Sequence, residues 1–255
     1  METTIKKIED MSLNAWPSHK MELYDGWILR FSYFYTHRTN SVEQFGTSTL
    51  PWREKIPYCE QVYKRLGTPA IFKISPLVSP DFDYMLENRG YSVQHITNVM
   101  TVDLDNAVLD APVTDVLFSN EIPDFWIHSL FDLKRTTNPI HRSVVPSMYR
   151  AILKETVCAS ITKNGEIIAT GLGNPGFATT SVSMPFMCVK IIAAEDMPVR
   201  SVPVFSMRAK KRGASHAYLQ VVKNNTSAEK LYSSLGFQYS YTYWFRVQPV
   251  GTRFQ

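Results

Sequence analysis

Two short strings set the main constraint on how this chain folds. Met85 to Tyr91 reads MLENRGY and Leu231 to Phe237 reads LYSSLGF. Each puts an apolar residue five positions before a Gly and an aromatic residue after it. In each case a helical pattern precedes the Gly and a β-prone run follows. A glycine past the last helical turn takes the left-handed conformation that ends a helix. The same helix–Gly–strand step near the end of both halves points to an internal duplication of an α/β unit.

Around these anchors the chain reads as alternating helices and strands. Residues 3–14, Glu54 to Leu66, Asp81 to Asn88, Ile122 to Leu133, Val145 to Leu153 and Ser227 to Ser234 have helical spacing. Trp27 to Ser32, Asn40 to Val42, Ala70 to Ile74, Tyr91 to Leu104, Ala217 to Val222 and Tyr239 to Val247 read as strands. Thr156 to Thr162 and Glu166 to Leu172 flank Asn164-Gly165, a hairpin signal. The small and polar stretch 105–115 marks the boundary between two halves, 1–108 and 113–250.

With 255 residues and 44% apolar side chains, the chain supports sizeable cores. A net charge of +4 is too mild to indicate a nucleic-acid partner by itself. The cluster Arg208, Lys210, Lys211, Arg212 reads as a solvated helix end. Cys59, Cys158 and Cys188 are far apart, which argues against a disulfide framework or a metal site and for a reducing compartment. The polar N-terminus lacks an apolar targeting core, and no stretch has the ~18 apolar residues of a membrane span. A cytoplasmic protein without membrane or nucleic-acid partners is expected. Its oligomeric state is not legible.

Gly171 to Gly176 (GLGNPG) fits a dinucleotide fingerprint by letter only. Pro175 and the β-prone residues after it do not open the helix that such a site needs.

The most specific string is Val221 to Phe237, VVKNNTSAEKLYSSLGF. It resembles the closing motif of the GNAT superfamily of N-acetyltransferases, V-x-x-x-N-x-x-A-x-x-L-Y-x-x-x-G-F. Val221, Asn225, Ala228, Leu231, Tyr232, Gly236 and Phe237 all match. The likeness extends over roughly 113–247. The first half, with YDGWILRF, THRTNSV and LENRGY, is similar to the degenerate acetyltransferase-like half of some bacterial members. The resemblance implies tandem acetyltransferase-like domains, each a twisted mixed sheet flanked by helices. It also implies acetyl-CoA as acetyl donor, an amine of a small molecule or peptide as acceptor, and no metal. By position, Tyr232 is the general acid that protonates the leaving thiolate, and Asn225 helps hold the cofactor. The alternative for Tyr232 is a packing role on an amphipathic helix. The alternative for the chain is a catalytically inactive binding or scaffold protein.

One motif of the family is broken. Before Gly213 its members carry a strand, then R/Q-x-x-G-x-G/A, then a helix, whose backbone N–H groups bind the CoA pyrophosphate. Here Val189 to Arg212 reads VKIIAAEDMPVRSVPVFSMRAKKR, with no Gly. Glu195 and Asp196 stand where phosphates should bind, and Pro198 and Pro203 interrupt the expected helix. Read one base early, permitted codons for Ile191 to Val199 give N-Y-R-R-R-G-Y-A-R, which restores R-x-x-G-x-A. Residues 175–209 therefore read as a frame-slipped tract between in-frame flanks, and should fit the fold poorly.

Overall fold

A computed structural model describes residues 2–108, 116–153, 155–175, 186–193, 201–211 and 213–249. The described elements run α1 (Glu2–Ala15), β1 (Lys20–Tyr24), β2 (Trp27–Phe31), β3 (Val42–Gln44), α2 (Trp52–Arg65), β4 (Ile71–Ile74), α3 (Pro80–Asn88) and β5 (Ser92–Asp103). They continue with β6 (Val116–Ser119), α4 (Asp124–Leu133), α5 (Pro139–Arg150), β7 (Val157–Lys163), β8 (Glu166–Pro175), β9 (Phe186–Ala193), α6 (Ser201–Lys211), β10 (His216–Val222), α7 (Thr226–Ser234) and β11 (Gln238–Val247). Hairpin, strand, helix, strand, helix, strand thus occurs twice, as β1–β2–β3–α2–β4–α3–β5 and β7–β8–β9–α6–β10–α7–β11.

Two compact units form. The first holds 1–6, 18–97 and 242–255, and the second holds 7–17 and 98–241. Neither is continuous, because α1, β5 and β11 each contribute one end to either unit. Most of the 105–115 boundary lies outside the described residues.

In the first unit β1 pairs with β2 through a tight turn at Asp25-Gly26, β2 pairs antiparallel with β3, and β3 meets β4 in parallel. The last strand comes from the chain's end: Trp244 to Val247 of β11 run antiparallel to β4. One sheet face, with Trp27, Leu29, Val42, Phe72 and Ile74, closes against Ile56, Cys59 and Tyr63 of α2 and Phe82 and Leu86 of α3. Asp83 of α3 receives Trp244 Nε1 at 3.1 Å and Arg246 Nε at 2.7 Å, which ties the returning strand down.

In the second unit β6, β7, β8 and β9 are antiparallel in sequence order, β9 is parallel to β10, and β5 follows β10. Its core joins Val157, Ala159, Leu219, Val221 and Phe237 with Ala209 of α6 and Ala228 of α7. Asn164 and Gly165 both take positive φ, 53° and 82°, at the β7–β8 turn.

The two helix–Gly–strand turns are alike in detail. Gly90 has φ 81° and Gly236 φ 93°. Tyr91 N donates to Leu86 O and Phe237 N to Tyr232 O, both at 3.0 Å. Both aromatics are buried. Glycine, which has no Cβ, takes such a φ without steric cost, so the punctuation seen in the sequence has a backbone cause.

The tract 175–209, expected to fit the fold poorly, is described only at 175, 186–193 and 201–209, and its helix begins only at Ser201. It contains a strand and a helix: Phe186–Ala193 pairs with β8 and β10, and α6 covers Ser201–Lys211. The β-branched and apolar residues in FMCVKIIA suit a strand on either reading of the tract. Pro203 does not interrupt a helix interior, because it is the third residue of α6. A first-turn N–H has no intrahelical acceptor, so its loss there is tolerated. Glu195, Asp196 and Pro198 lie outside the described residues.

Candidate acetyl-transfer site

The second unit's parallel pair is the starting point. β9 and β10 are in register at His216↔Phe186, Ala217↔Met187 and Tyr218↔Cys188. The ladder then ends, although β9 runs on to Ala193 and β10 to Val222. Beyond it, the facing backbone N–H and C=O groups are no longer used by each other, and such groups need partners. The opening lies at the C-terminal ends of both strands, the ends from which the chain proceeds to α6 and α7. Helix N-termini favour anions there.

α7 carries both residues singled out in the sequence. After Asn224, at φ 72°, Asn225 caps the helix: its Oδ1 accepts from Ala228 N at 3.2 Å. Its side chain is exposed, with that oxygen engaged in the cap. Seven residues on, two helical turns, Tyr232 is half-buried against the unit's core, its ring 6.3 Å from that of Phe237. Burial raises its phenol pKa above the ordinary 10.0, so at neutral pH it retains its proton. Its hydroxyl meets no hydrogen-bond partner among the described residues.

The first unit lacks this hydroxyl. Four residues before Gly236 stands Tyr232, whereas four before Gly90 stands Leu86, fully buried. Eleven before each glycine stands a helix cap, Asn225 in one case and Ser79 in the other. The repeat keeps the helix cap and has Leu in place of Tyr.

Gly171 to Pro175 lies inside β8, paired with β7 as far as Gly173 and with β9 throughout, so that part of the fingerprint is a strand. The basic end of α6 is solvated, with Lys210 and Lys211 exposed. Lys210 Nζ sits 2.9 Å from Asp105 Oδ1, and Arg208 lies over the Phe118 ring at 4.6 Å. Cys59 and Cys158 are buried free thiols that burial pushes up to about 12, which makes them poor nucleophiles. Among the described residues no three His, Cys, Asp or Glu gather as a metal site, and no helix is long and apolar enough to cross a membrane.

Some features had no signal in the motifs. Glu9 of α1 is buried in the second unit and accepts from Tyr241 O–H at 2.6 Å. No local spacing links residues so distant in sequence. The Asp25-Gly26 turn did have a signal, the Asp-Gly dipeptide between alternating runs.

An α/β unit with a parallel pair that opens toward two helix N-termini, present in tandem, defines an acyltransferase fold. The family described as "Probable histone acetyltransferase Rv0428c C-terminal" matches residues 2–164, and the chain belongs to this group of GNAT-type acetyltransferases. It is 25% identical to the "Uncharacterized N-acetyltransferase YobR" of Bacillus subtilis (strain 168) over 254 residues, 96% of this chain and 98% of that protein. In fold it is similar to a GCN5-related N-acetyltransferase from Kribbella flavida, with a TM-score of 0.63 at 10% identity, covering 97% of this chain and 96% of that one. It is equally similar to a functionally unknown conserved protein from Staphylococcus epidermidis ATCC 12228, at 0.63 and 10%, covering 96% and 98%.

Proposed function

We propose that this acyltransferase moves an acetyl group from acetyl-CoA to an amine of a small molecule or peptide, in the cytoplasm, and that residues 113–250 perform the reaction. The observation that carries this reading is the β9–β10 ladder, which ends after three pairs with Tyr232 on the helix that follows β10. The residues present fit the donor on two counts. The open strand edges offer N–H and C=O groups suited to the amides of an extended pantetheine arm, and the start of α7, with Asn225 at its cap, favours negative charge.

In the transfer, the amine nitrogen bonds to the acetyl carbon and the carbon–sulfur bond breaks. The sulfur takes its proton from the Tyr232 hydroxyl, and the proton released by the new amide nitrogen returns to the phenolate through solvent. A phenol held protonated by burial is suited to this task. The first half is assigned no chemistry, because Leu86 has no proton to give.

The Gly-free stretch with Glu195 and Asp196 supports a second reading, an acetyltransferase-like protein that binds without turning over. Two carboxylates oppose a pyrophosphate, and the chain is expected to bind acetyl-CoA weakly or not at all. Thiol release from acetyl-CoA across a panel of amines separates the readings. Amine-dependent release that Tyr232→Phe slows by about 10²-fold or more supports the enzyme, and binding without release supports the inactive form.

A further inference from the structure

The first unit repeats the strand-to-helix step of the second, with β3, residues 45–51 and α2 in the places of β9, the residues that follow it, and α6. All of these first-unit residues are described, and their polar groups converge on one carboxylate. Thr49 N donates to Asp25 Oδ1 at 2.9 Å and Oδ2 at 3.0 Å, Leu50 N to Oδ2 at 2.9 Å, and Thr49 Oγ1 to Oδ1 at 2.7 Å. Lys55, in the first turns of α2 and fully buried, brings Nζ to 3.1 Å from Oδ2. The same ammonium donates to Asp25 O and, at 2.6 Å, to Ser48 Oγ, and lies 4.0 Å over the Trp27 ring. Ser48 Oγ also donates to Asp25 O at 2.8 Å.

The turn that presents Asp25 closes the rest of the loop. Phe45 N and Gly46 N both donate to Gly26 O at 2.9 Å. Gly26 has φ 77°, and a Cβ there would stand 2.3 Å from Thr47 O, so only glycine lets the hairpin press this close. Backbone N–H groups ahead of a helix, together with a buried ammonium, make an environment suited to an oxyanion.

We infer that the first unit carries an anion site filled from within: the Asp25 carboxylate occupies the place of a small oxyanion, so that this half takes no acetyl donor and the chain holds a single donor site. The stoichiometry rests on the function proposed for the second unit, whereas the internal anion does not. The donors hold the Asp25 carboxyl well below the usual carboxylate range, as expected of a permanent anion. Removing the carboxylate while keeping the turn leaves a vacancy for an external anion.

Asp25→Gly does this, because glycine accepts the φ of 42° found at Asp25. Thermal melts are compared in chloride, acetate and sulfate at matched ionic strength. In chloride the variant melts several degrees below wild type, and acetate or sulfate recovers at least half of that loss with saturation, beyond any shift they cause in wild type. Asp25→Asn, which leaves no vacancy, shows no such recovery. If Asp25→Gly does not fold in chloride, refolding yield in acetate against chloride gives the same comparison. Equal effects of the three salts on Asp25→Gly and wild type would overturn the inference, as would two acetyl-CoA molecules bound per chain. A chain that binds none, yet shows anion rescue, contradicts the function proposed above and leaves the internal anion standing.

Discussion

Tyr232 has two roles on α7, a ring packed against the core and a hydroxyl with no partner among the described residues. Tyr232→Phe keeps the first and removes the second. Steady-state kinetics should show kcat lower by about 10²–10⁴-fold with acetyl-CoA affinity almost unchanged, because the hydroxyl acts on charge that develops only in the transition state. An unchanged kcat would leave Tyr232 as a packing residue. Asn225→Ala removes a cap oxygen and should cost about 1 kcal/mol of stability in denaturant titrations. His37 sets a pH dependence. Burial first, then His95, pushes its pKa from 6.5 down to about 4. Between those values the unfolded chain binds a proton that the folded chain refuses. Stability from neutral His37 is therefore complete above pH 6.5 and falls as pH drops toward 4. Melting profiles of His37→Gln should be flatter over that window than those of wild type.

At the scale of elements, local punctuation was the most legible part of the sequence. Gly90 and Gly236 ended helices as read, and Asn164-Gly165 made its hairpin, because positive φ is dictated within a few residues. Three strands escaped notice: β9, inside the tract read as frame-slipped, β1 and β6. β1 is only five residues long, with Met21 and Leu23 exposed, so its alternation marks no buried face, and β6 is only four. α5 begins at Pro139, earlier than its apolar spacing suggested, because Asn138 caps it with bonds to Ile140 N and His141 N. The candidate site was half legible: Asn225 and Tyr232 belong to one contiguous motif, whereas the β9–β10 opening and the Asp25–Lys55 pair are tertiary pairings that no local spacing encodes. Turn substitutions test how tightly these elements are held. Gly165→Ala has open space around it and should cost about 1–2 kcal/mol, the left-handed penalty alone. Gly26→Ala must also displace the Thr47 carbonyl, and should cost clearly more in the same titration.

At the scale of the molecule, the compact units cross the order of the chain. The first unit needs the chain's end: β4 pairs with β11, Phe245 is buried, and Arg246 is bonded to Asp83. Expressed alone, residues 1–108 lack that strand. They should show weak near-ultraviolet circular dichroism and no cooperative melt, where the full chain shows both. A cooperative fragment would mean that β11 is dispensable to the first unit. The proposed activity, in turn, depends on whether the second unit takes acetyl-CoA at the opening between β9 and β10. Calorimetric titration of acetyl-CoA decides this, performed on the chain and on a variant in which residues 191–199 read N-Y-R-R-R-G-Y-A-R, including Asp196→Gly. Single-site binding is expected, at least about tenfold tighter in the variant, a difference of about 1.4 kcal/mol. No binding by either protein would contradict the assignment of this opening as the donor site.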